Sequence, residues 1–350
     1  MTDSEVAGRA APVEGLQPYA VTIFAEMSAL AASIGAVNLG QGFPDEDGPP
    51  AMLKAAQDAI ARGVNQYPPG LGIPELRQAI ANQRQRQYGI DYNPDTEVLV
   101  TVGATEAIAA SIFGLVEPGD EVIVIEPFYD SYSPVLAMAG AHRSAVPMVP
   151  DGKGFALDLD ALRKAITSRT KALIVNSPHN PTGAVLTDDE LRKLAQLATD
   201  HDLLVIADEV YEHLVFDDRR HLPLAKYPGM RDRTLTISSA AKMFNCTGWK
   251  IGWVCGAPDL IKGVRAAKQY LTYVGGAPFQ PAVAYALNHE QPWVDQLRMD
   301  LQAKRDRLSK ALTDIGFEVH DSSGTYFVCA DPRPLGYEDS TSFCMELPTK

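Results

Sequence analysis

Residues 171–209 read KALIVNSPHNPTGAVLTDDELRKLAQLATDHDLLVIADE, and this stretch decides the fold. It begins with one apolar run, KALIVN, and ends with another, LLVIADE. Between them, Thr187 followed three residues later by Glu190 is the signature of a capping box, which predicts a helix over ELRKLAQLATDH. A strand, a helix and a second strand in this order predict a β-α-β unit, whose two strands are parallel.

The same alternation continues on both sides of this unit. Further apolar runs start at Glu97 (EVLVTV), Glu121 (EVIVIE), Thr234 (TLTISS) and Trp249 (WKIGWVCG), and a helical stretch, ATEAIAASIFGLV, follows the first of them. Nearly continuous apolar runs are typical of strands that are buried on both faces. We therefore predict a large α/β domain over residues 52–281, with a mostly parallel sheet flanked by helices.

The pattern changes after Phe279. A long stretch rich in leucine and charge predicts one helix from about Pro281 to Thr313, and two short strand-like pieces, GFEVH and TYFVCA, follow it. These elements indicate a smaller α+β domain over residues 282–350. The N-terminal segment, residues 1–51, is expected to pack against it.

Composition excludes several classes of function. The chain has 350 residues, 46% of them hydrophobic, and a formal net charge of −13, which disfavours nonspecific binding to nucleic acid or to an anionic membrane. No apolar run is long enough to span a bilayer, and the polar start of the chain lacks the apolar core of a signal peptide. We expect a cytoplasmic protein of about two domains.

Neither cysteines nor histidines suggest a metal site. The sequence has no C-x-x-C pair and no H-E-x-x-H motif, and His213 beside Glu212 is interpreted as a chance neighbour pair. No metal is expected. The cysteines are predicted to be free thiols: Cys246, Cys255, Cys329 and Cys344.

A lysine in SSAAKMFNCTGWKIGW, residues 238–253, carries the most specific chemistry. Lys242 follows a predicted buried strand, where an ammonium group is costly to desolvate. A buried lysine amine can instead form a Schiff base with an aldehyde. Ser239 and Lys250 lie nearby in sequence and suit a phosphate group on such a ligand. A single S-x-x-K is more often a lysine that reaches solvent from a strand end.

Three other predicted strands also end in polar groups. Asp208 closes LLVIADE with Tyr211 just after it, and Asn180 lies on the rigid loop NSPHNPTG. Residues 103–105 start a helix, where free N–H groups and a hydroxyl can bind an anion. Each feature alone is an ordinary strand end more often than a site. Together they predict a ligand site at the carboxyl edge of one parallel sheet.

The motifs, taken in order, resemble a known family. They are NLGQGFPD from Asn38, NQYPPGLGIPELR from Asn65, VTVGATEAI from Val100, EPFYDSY from Glu126, and the three stretches around Asn180, Asp208 and Lys242. Over residues 23–327 the chain resembles fold-type I pyridoxal-5′-phosphate (PLP) enzymes, in the class I/II aminotransferase group. Within that group it is similar to the branch of kynurenine/glutamine aminotransferases and actinobacterial N-succinyldiaminopimelate aminotransferases.

The resemblance implies a role for each matching residue. Lys242 would bond to the cofactor aldehyde and later carry the proton between the substrate Cα and the cofactor. Asp208 would pair with the protonated pyridine nitrogen. Tyr211 and Asn180 would hydrogen-bond the phenolic oxygen of PLP, and Tyr129 would stack on the ring.

The remaining implied contacts concern the phosphate and the substrate. Tyr67 would reach the phosphate of a neighbouring subunit, which implies a homodimer, and the substrate would pass Gly40 and Asn180. The phosphate would lie among Gly103, Ala104, Thr105, Ser239 and Lys250.

The implied reaction is a ping-pong transfer of an amino group between glutamate/2-oxoglutarate and a second substrate. We expect that substrate to be N-succinyl-2-amino-6-oxopimelate, which would give N-succinyl-LL-2,6-diaminopimelate in lysine biosynthesis. Alternatives are a kynurenine, glutamine or methionine aminotransferase and a cysteine-conjugate C–S β-lyase. A PLP-sensing regulator is disfavoured because the acidic chain carries no basic helix-turn-helix extension.

Two departures from the family pattern stand out. Lys250 occupies a position where many relatives have arginine, so the forked geometry toward a phosphate is lost. In the family an arginine near the C-terminus clamps the substrate α-carboxylate. It follows a segment beyond ELPTK, where this sequence ends, and Arg333 does not fit its position. The small domain is therefore expected to be incomplete.

Overall fold

An eight-stranded mixed sheet forms the centre of the protein. The computed structural model describes residues 12–40, 42 and 44–349, so the polar start of the chain (residues 1–11) lies outside the described residues. The sheet order is β1-β8-β7-β6-β5-β2-β3-β4. Its strands are β1 (Val98–Val102), β2 (Glu121–Glu126), β3 (His142–Asp151), β4 (Gly154–Leu157), β5 (Thr170–Asn176), β6 (Leu204–Asp208), β7 (Thr234–Ser239) and β8 (Ile251–Cys255).

Most strands of this sheet run in one direction. The pairs β2–β3, β2–β5, β5–β6 and β6–β7 are parallel, as the β-α-β pattern predicts. Strand β8 is antiparallel to both β1 and β7 and lies between them, and β4 is antiparallel to β3. The predicted mostly parallel α/β sheet is confirmed. The sequence did not reveal β3 and β4, nor that β8 is reversed.

Helices cover both faces of the sheet. The α-helices of the described residues are α1 (Ile23–Ile34), α2 (Pro50–Ala61), α3 (Pro74–Tyr88), α4 (Gly103–Leu115), α5 (Tyr132–Met138), α6 (Leu159–Ala165), α7 (Asp188–Asp200), α8 (Ala240–Met243), α9 (Pro258–Leu271), α10 (Phe279–His289), α11 (Gln291–Asp314) and α12 (Ser340–Glu346). Short 3-10 turns lie at Glu14–Tyr19, Leu224–Lys226, Thr247–Trp249, Arg333–Leu335 and Leu347–Thr349. Among the described residues, no helix combines the length and apolar character needed to cross a membrane.

Alternate residues of each strand enter different cores. On β1, Val98 and Val100 pack with α2, α3 and α10, whereas Leu99 packs with α4, α5 and α9. On β6, Ile206 belongs to the same core as Leu99, whereas Val205 packs with α6 and α7. The period of two in a strand therefore places apolar side chains on both faces, which explains the uninterrupted apolar runs in the sequence.

The C-terminal third differs from its prediction in two places. The single helix expected from Pro281 to Thr313 is broken at Glu290, because Pro292 has no N–H to donate and fits only the first turn of a new helix. Of TYFVCA only the end forms a strand: β9 (Glu318–Val319) pairs antiparallel with β10 (Ala330–Asp331). Tyr326 lies outside this strand, and its hydroxyl contacts Lys242.

Division of the chain at residues 52 and 281 stays a prediction. The eight-stranded sheet and helices α3 to α9 fall between those positions, and the two-stranded sheet follows them. The cysteines at 246, 255, 329 and 344 are free, and the first two are buried.

The capping box at the start of α7 provides a test of the β-α-β unit. The Thr187 hydroxyl accepts the Glu190 N–H, and the Glu190 carboxylate accepts the Thr187 N–H at 2.8 Å. Thr187→Ala should lower the free energy of unfolding by about 1 kcal/mol, because the first turn loses a partner for its N–H groups. Urea unfolding measures this. Thr187→Ser keeps the hydroxyl and should stay near wild type; equal stability of both variants would contradict the cap.

Candidate active site

A cavity of about 170 Å³ opens at the carboxyl ends of β1, β5, β6 and β7. These four strands run in the same direction, so their ends meet at one edge of the sheet. Ten of the twelve predicted site residues line the cavity: Gly103, Ala104, Thr105, Tyr129, Asn180, Asp208, Tyr211, Ser239, Lys242 and Lys250. The structure thus brings together residues that are far apart in sequence.

Asp208 is the last residue of β6 and is 4% exposed. Burial raises the pKa of its carboxyl, and this effect outweighs the hydrogen bond that the Tyr132 hydroxyl donates to Oδ2 at 2.6 Å. A buried carboxylate is stabilised best by a cation. Asp208 is therefore suited to a ligand that brings a positive charge into the cavity.

Asn176 connects the ends of β5 and β6. Its side-chain amide donates to the backbone carbonyl of Asp208 at 2.8 Å, and its Oδ1 accepts the N–H of Asn180 at 2.7 Å. Asn180 is thereby held on the loop that follows β5, with its own side chain at the cavity. The sequence placed Asn180 in the site but missed the role of Asn176.

An anion cradle lies where β1 becomes α4. Helix α4 begins at Gly103, whose φ of 72° suits glycine, so the N–H groups of its first turn end at the cavity. Lys250 has a left-handed backbone, and its Nζ lies 3.2 Å from the place of a Cβ on Gly103. Ser239 and Thr105 add hydroxyls to this corner. A cation, hydroxyls and a helix N-terminus together suit a phosphate.

Two tyrosines, Tyr129 and Tyr211, line the cavity. The Tyr129 hydroxyl lies 3.5 Å from that of Thr105, and the Tyr129 ring meets Tyr132 edge to face at 5.7 Å. Burial raises the pKa of Tyr129 and, more strongly, that of Tyr211. Both phenols therefore stay protonated at neutral pH and can donate hydrogen bonds to a ligand oxygen.

Lys242 lies on the one-turn helix α8, directly after β7. Its Nζ donates to the hydroxyl of Tyr326 at 2.6 Å and to the carbonyl of Gly42 at 3.3 Å. The Tyr211 hydroxyl is 3.4 Å from that of Tyr326. Tyr326 was missed because TYFVCA was interpreted only as a strand. Tyr132 lay inside the EPFYDSY motif, but no local signal linked it to Asp208.

Gly40 and Tyr67 lie outside the cavity. The Gly40 N–H donates to Asn38 Oδ1 at 3.0 Å, and Gly40 lines a different hollow with Ile23 and Cys344. Tyr67 is 82% exposed, and its ring meets Tyr273 edge to face at 5.6 Å. Their roles toward substrate and a second subunit stay predictions.

A buried ionic cluster lies behind the cavity. Arg84 on α3 is fully buried and contacts Glu209 Oε2 at 2.7 Å and Glu212 Oε2 at 2.5 Å. The Ser238 hydroxyl donates to Glu212 Oε1 at 2.6 Å. The two glutamates directly follow Asp208 and Tyr211 in sequence, so this cluster fixes the segment that carries both cavity residues.

Within the described residues, Glu209, Glu212 and His221 come close enough together to suggest a metal site, with ligand atoms within 4.8 Å of one another. The guanidinium of Arg84 already supplies the positive charge that these carboxylates need. His213 Nε2 lies 3.7 Å from Glu212 Oε1, and burial lowers the pKa of this histidine. The cluster is therefore best described as an arginine-centred ion-pair network.

This network predicts a pH dependence of stability. Burial alone would raise the pKa of Glu212, but Arg84, the two histidines and Ser238 together lower it from 4.5 to about 2. The folded state thus binds fewer protons than the unfolded state between these values. Stability from this group is present above pH 4.5 and is lost as the pH falls toward 2.

Arg84→Met should lower the free energy of unfolding by about 3–5 kcal/mol at neutral pH, because two buried carboxylates lose their cation. Its stability should also fall less between pH 4.5 and 2 than that of wild type. Arg192→Met breaks an exposed pair with Asp188 and should cost at most about 1 kcal/mol. Urea unfolding across this pH range measures both; parallel curves for wild type and Arg84→Met would contradict the assignment.

Known proteins share both this sequence pattern and this fold. The model of the family aminotransferase class I and II matches residues 34–348. A probable N-succinyldiaminopimelate aminotransferase of Mycobacterium tuberculosis is 73% identical over 338 residues, which are 97% of this chain and 85% of that protein. Kynurenine–oxoglutarate transaminase 3 of Rattus norvegicus is 40% identical over 93% of this chain and 75% of its own length.

Solved structures give the same result. The structure of N-succinyldiaminopimelate aminotransferase from M. tuberculosis matches with a TM-score of 0.96 at 73% identity, over 97% of this chain and 88% of that chain. An Escherichia coli protein with a methionine aminotransferase function matches with a TM-score of 0.93 at 37% identity, over 97% and 88% of the two chains. The predicted family is confirmed, and the chain belongs to the class I and II aminotransferases.

Proposed function

We propose that this aminotransferase binds PLP in the cavity and transfers an amino group between glutamate/2-oxoglutarate and N-succinyl-2-amino-6-oxopimelate. The observation that carries the proposal is the convergence of Lys242, Asp208 and the anion cradle on one cavity. An amine, a buried carboxylate and a phosphate-binding corner correspond to the aldehyde, the ring nitrogen and the phosphate of PLP. Few other small ligands carry all three groups.

The electrostatics of the cavity favour this ligand. The raised pKa of Asp208 reflects a buried carboxyl without sufficient positive charge nearby, and a protonated pyridine nitrogen would supply that charge. Lys250 Nζ and the N-terminus of α4 would balance the phosphate. Tyr211 and Asn180 would donate hydrogen bonds to the phenolic oxygen, and Tyr129 would cover a ring face.

Each residue then has a distinct task in the reaction. When bound, PLP supplies an aldehyde that captures amines and a ring that withdraws electrons from the substrate Cα. Asp208 would hold the proton on the ring nitrogen, which keeps that withdrawal strong. Lys242 Nζ would hold the cofactor between turnovers and, once released, move the proton away from Cα. Asn176 and Tyr132 would keep Asn180 and Asp208 in position.

The choice of substrate rests on the relatives. The M. tuberculosis proteins named for N-succinyldiaminopimelate are 73% identical to this chain, whereas the kynurenine and methionine enzymes are 37–41% identical. The comparison at 73% identity covers 97% of the chain. A homodimer is part of the proposal, since the exposed Tyr67 is free to approach a second subunit.

Spectroscopy tests the cofactor and the first half-reaction. Purified protein with PLP should show a near-visible absorption band that glutamate replaces with the band of the pyridoxamine form. Lys242→Ala should lose at least about 10⁴-fold of the transamination rate, because both the covalent link and the proton carrier are removed. Lys193→Ala removes an exposed lysine paired with Asp189 and should behave as wild type. Protein that gains no band with PLP would contradict the proposal.

Discrimination among oxo acids tests the second substrate. Protein converted to the pyridoxamine form by glutamate should be reconverted most efficiently by N-succinyl-2-amino-6-oxopimelate, measured as the second-order rate of return of the first band. The oxo acids of kynurenine, glutamine and methionine should react at least about 100-fold more slowly, equivalent to about 2.7 kcal/mol of discrimination. A preference for one of these acids would overturn the assignment. Pyruvate and sulfide from a cysteine conjugate would indicate a C–S β-lyase instead.

A further inference from the structure

Tyr326 contacts Lys242, although none of the motifs that predicted the site includes it. It lies 84 positions from Lys242 in the chain and follows the loop that carries Thr325, whose N–H donates to the carbonyl of Leu214 at 2.9 Å. Its hydroxyl accepts a hydrogen bond from Lys242 Nζ at 2.6 Å. Within the described part of the chain, this is the side-chain hydroxyl that hydrogen-bonds the amine.

The hydrogen bonds of the Tyr326 hydroxyl can be fully assigned. A phenol has one proton to donate and two lone pairs that accept. Its proton is directed to the carbonyl of Gly42, while Lys242 and, at 3.4 Å, Tyr211 donate to its oxygen. Because its proton is already used, Tyr326 can act toward Lys242 only as an acceptor.

Gly42 makes this arrangement tight. A Cβ on Gly42 would lie 2.4 Å from a ring carbon of Tyr326 and 2.7 Å from one of Phe327. Only glycine lets the backbone approach the phenol this closely. The Gly42 carbonyl also lies 3.3 Å from Lys242 Nζ, so the same group accepts from the amine and anchors the phenol.

These contacts orient the lysine amine. A neutral amine has two N–H groups and one lone pair, and the two acceptors around Nζ, the oxygens of Tyr326 and Gly42, can take both N–H groups. The lone pair then occupies the remaining position, and Lys242 lines the cavity. Whenever the amine is neutral, its lone pair is therefore the part of Nζ that the oxygens of Tyr326 and Gly42 do not occupy.

We propose that Tyr326 is a positioning residue, whose hydroxyl, anchored by Gly42, holds the free Lys242 amine with its lone pair toward the cavity. This rests on the proposed function, since it matters whenever that amine is not bonded to the cofactor. In the proton-transfer step Lys242 Nζ would take up the proton from the substrate Cα through its lone pair. PLP, when bound, would supply the ring that takes up the electron pair of the broken C–H bond. Tyr326 gains and loses no proton; it keeps the amine aimed.

The test compares Tyr326→Phe with wild type by two readouts. The first is the rate at which cofactor-free protein captures PLP, followed by the near-visible band, because capture requires attack by the Nζ lone pair. Tyr326→Phe should slow capture about 10-fold, the effect of losing one hydrogen bond that orients the amine. Tyr227→Phe removes a hydroxyl bonded to Asp188 on the surface and should not change the rate.

The second readout separates proton transfer from binding. With glutamate deuterated at Cα, the isotope effect on the first half-reaction should be larger for Tyr326→Phe than for wild type, and the KM for glutamate should change little. Gly42→Ala keeps the phenol but displaces its ring, so it should slow capture in the same way. Thermal unfolding of the cofactor-free variants shows that they are folded.

The outcomes are distinct. Wild type that captures no PLP would contradict the proposed function, and with it this role of Tyr326. Wild type that captures PLP and reacts with glutamate, with Tyr326→Phe matching its capture rate and isotope effect, would overturn the role of Tyr326 alone. Slower capture in both Tyr326→Phe and Gly42→Ala, with a larger isotope effect in Tyr326→Phe, supports it.

Discussion

The guanidinium of Arg84 lies fully buried between the carboxylates of Glu209 and Glu212, and this ion-pair network supports the edge of the sheet that carries the cavity. The two glutamates belong to the same short segment as Asp208 and Tyr211, whose side chains face the cavity. The hydroxyl of Ser238, near the end of β7, also donates to Glu212. One buried cation therefore fixes the ends of β6 and β7 relative to α3.

Such a network is expensive to bury and offers little net stability over apolar packing. Its value here is geometric. A conformation that separated Arg84 from the two glutamates would leave two buried charges without a partner. The segment that also carries Asp208 and Tyr211 is therefore held in one conformation. On the cavity side, the side-chain hydrogen bond that Asp208 accepts from the described residues comes from the phenol of Tyr132 at 2.6 Å. Glu209 and Glu212 thus hold the segment through Arg84, whereas the carboxyl of Asp208 lines the cavity and is available for a ligand.

The residues at the cavity and at Lys242 come from different kinds of segment. Parallel strand ends contribute Asp208, the loop that carries Asn180 and the one-turn helix that carries Lys242. Helix α4 contributes its N-terminus. Gly42 and Tyr326 belong to segments outside the large sheet. They do not line the cavity but contact Lys242, from which they are 200 and 84 positions away in the sequence. The proposed proton transfer by Lys242 therefore depends on contacts with Gly42 and Tyr326, which lie outside the sheet.

Features that depend on short stretches could be predicted from the sequence alone: the β-α-β units, the capping box at Thr187 and the buried strands. Most of the cavity residues could be predicted as well, because strand ends in a parallel sheet meet at a known edge. Apolar periodicity reports burial but not the identity or direction of the neighbouring strand, so the reversed β8 was visible only in the tertiary structure. The same holds for side-chain pairs such as Tyr132 with Asp208, Arg84 with Glu212 and Tyr326 with Lys242. Each joins residues 76 or more positions apart, and only folding brings them within hydrogen-bond distance.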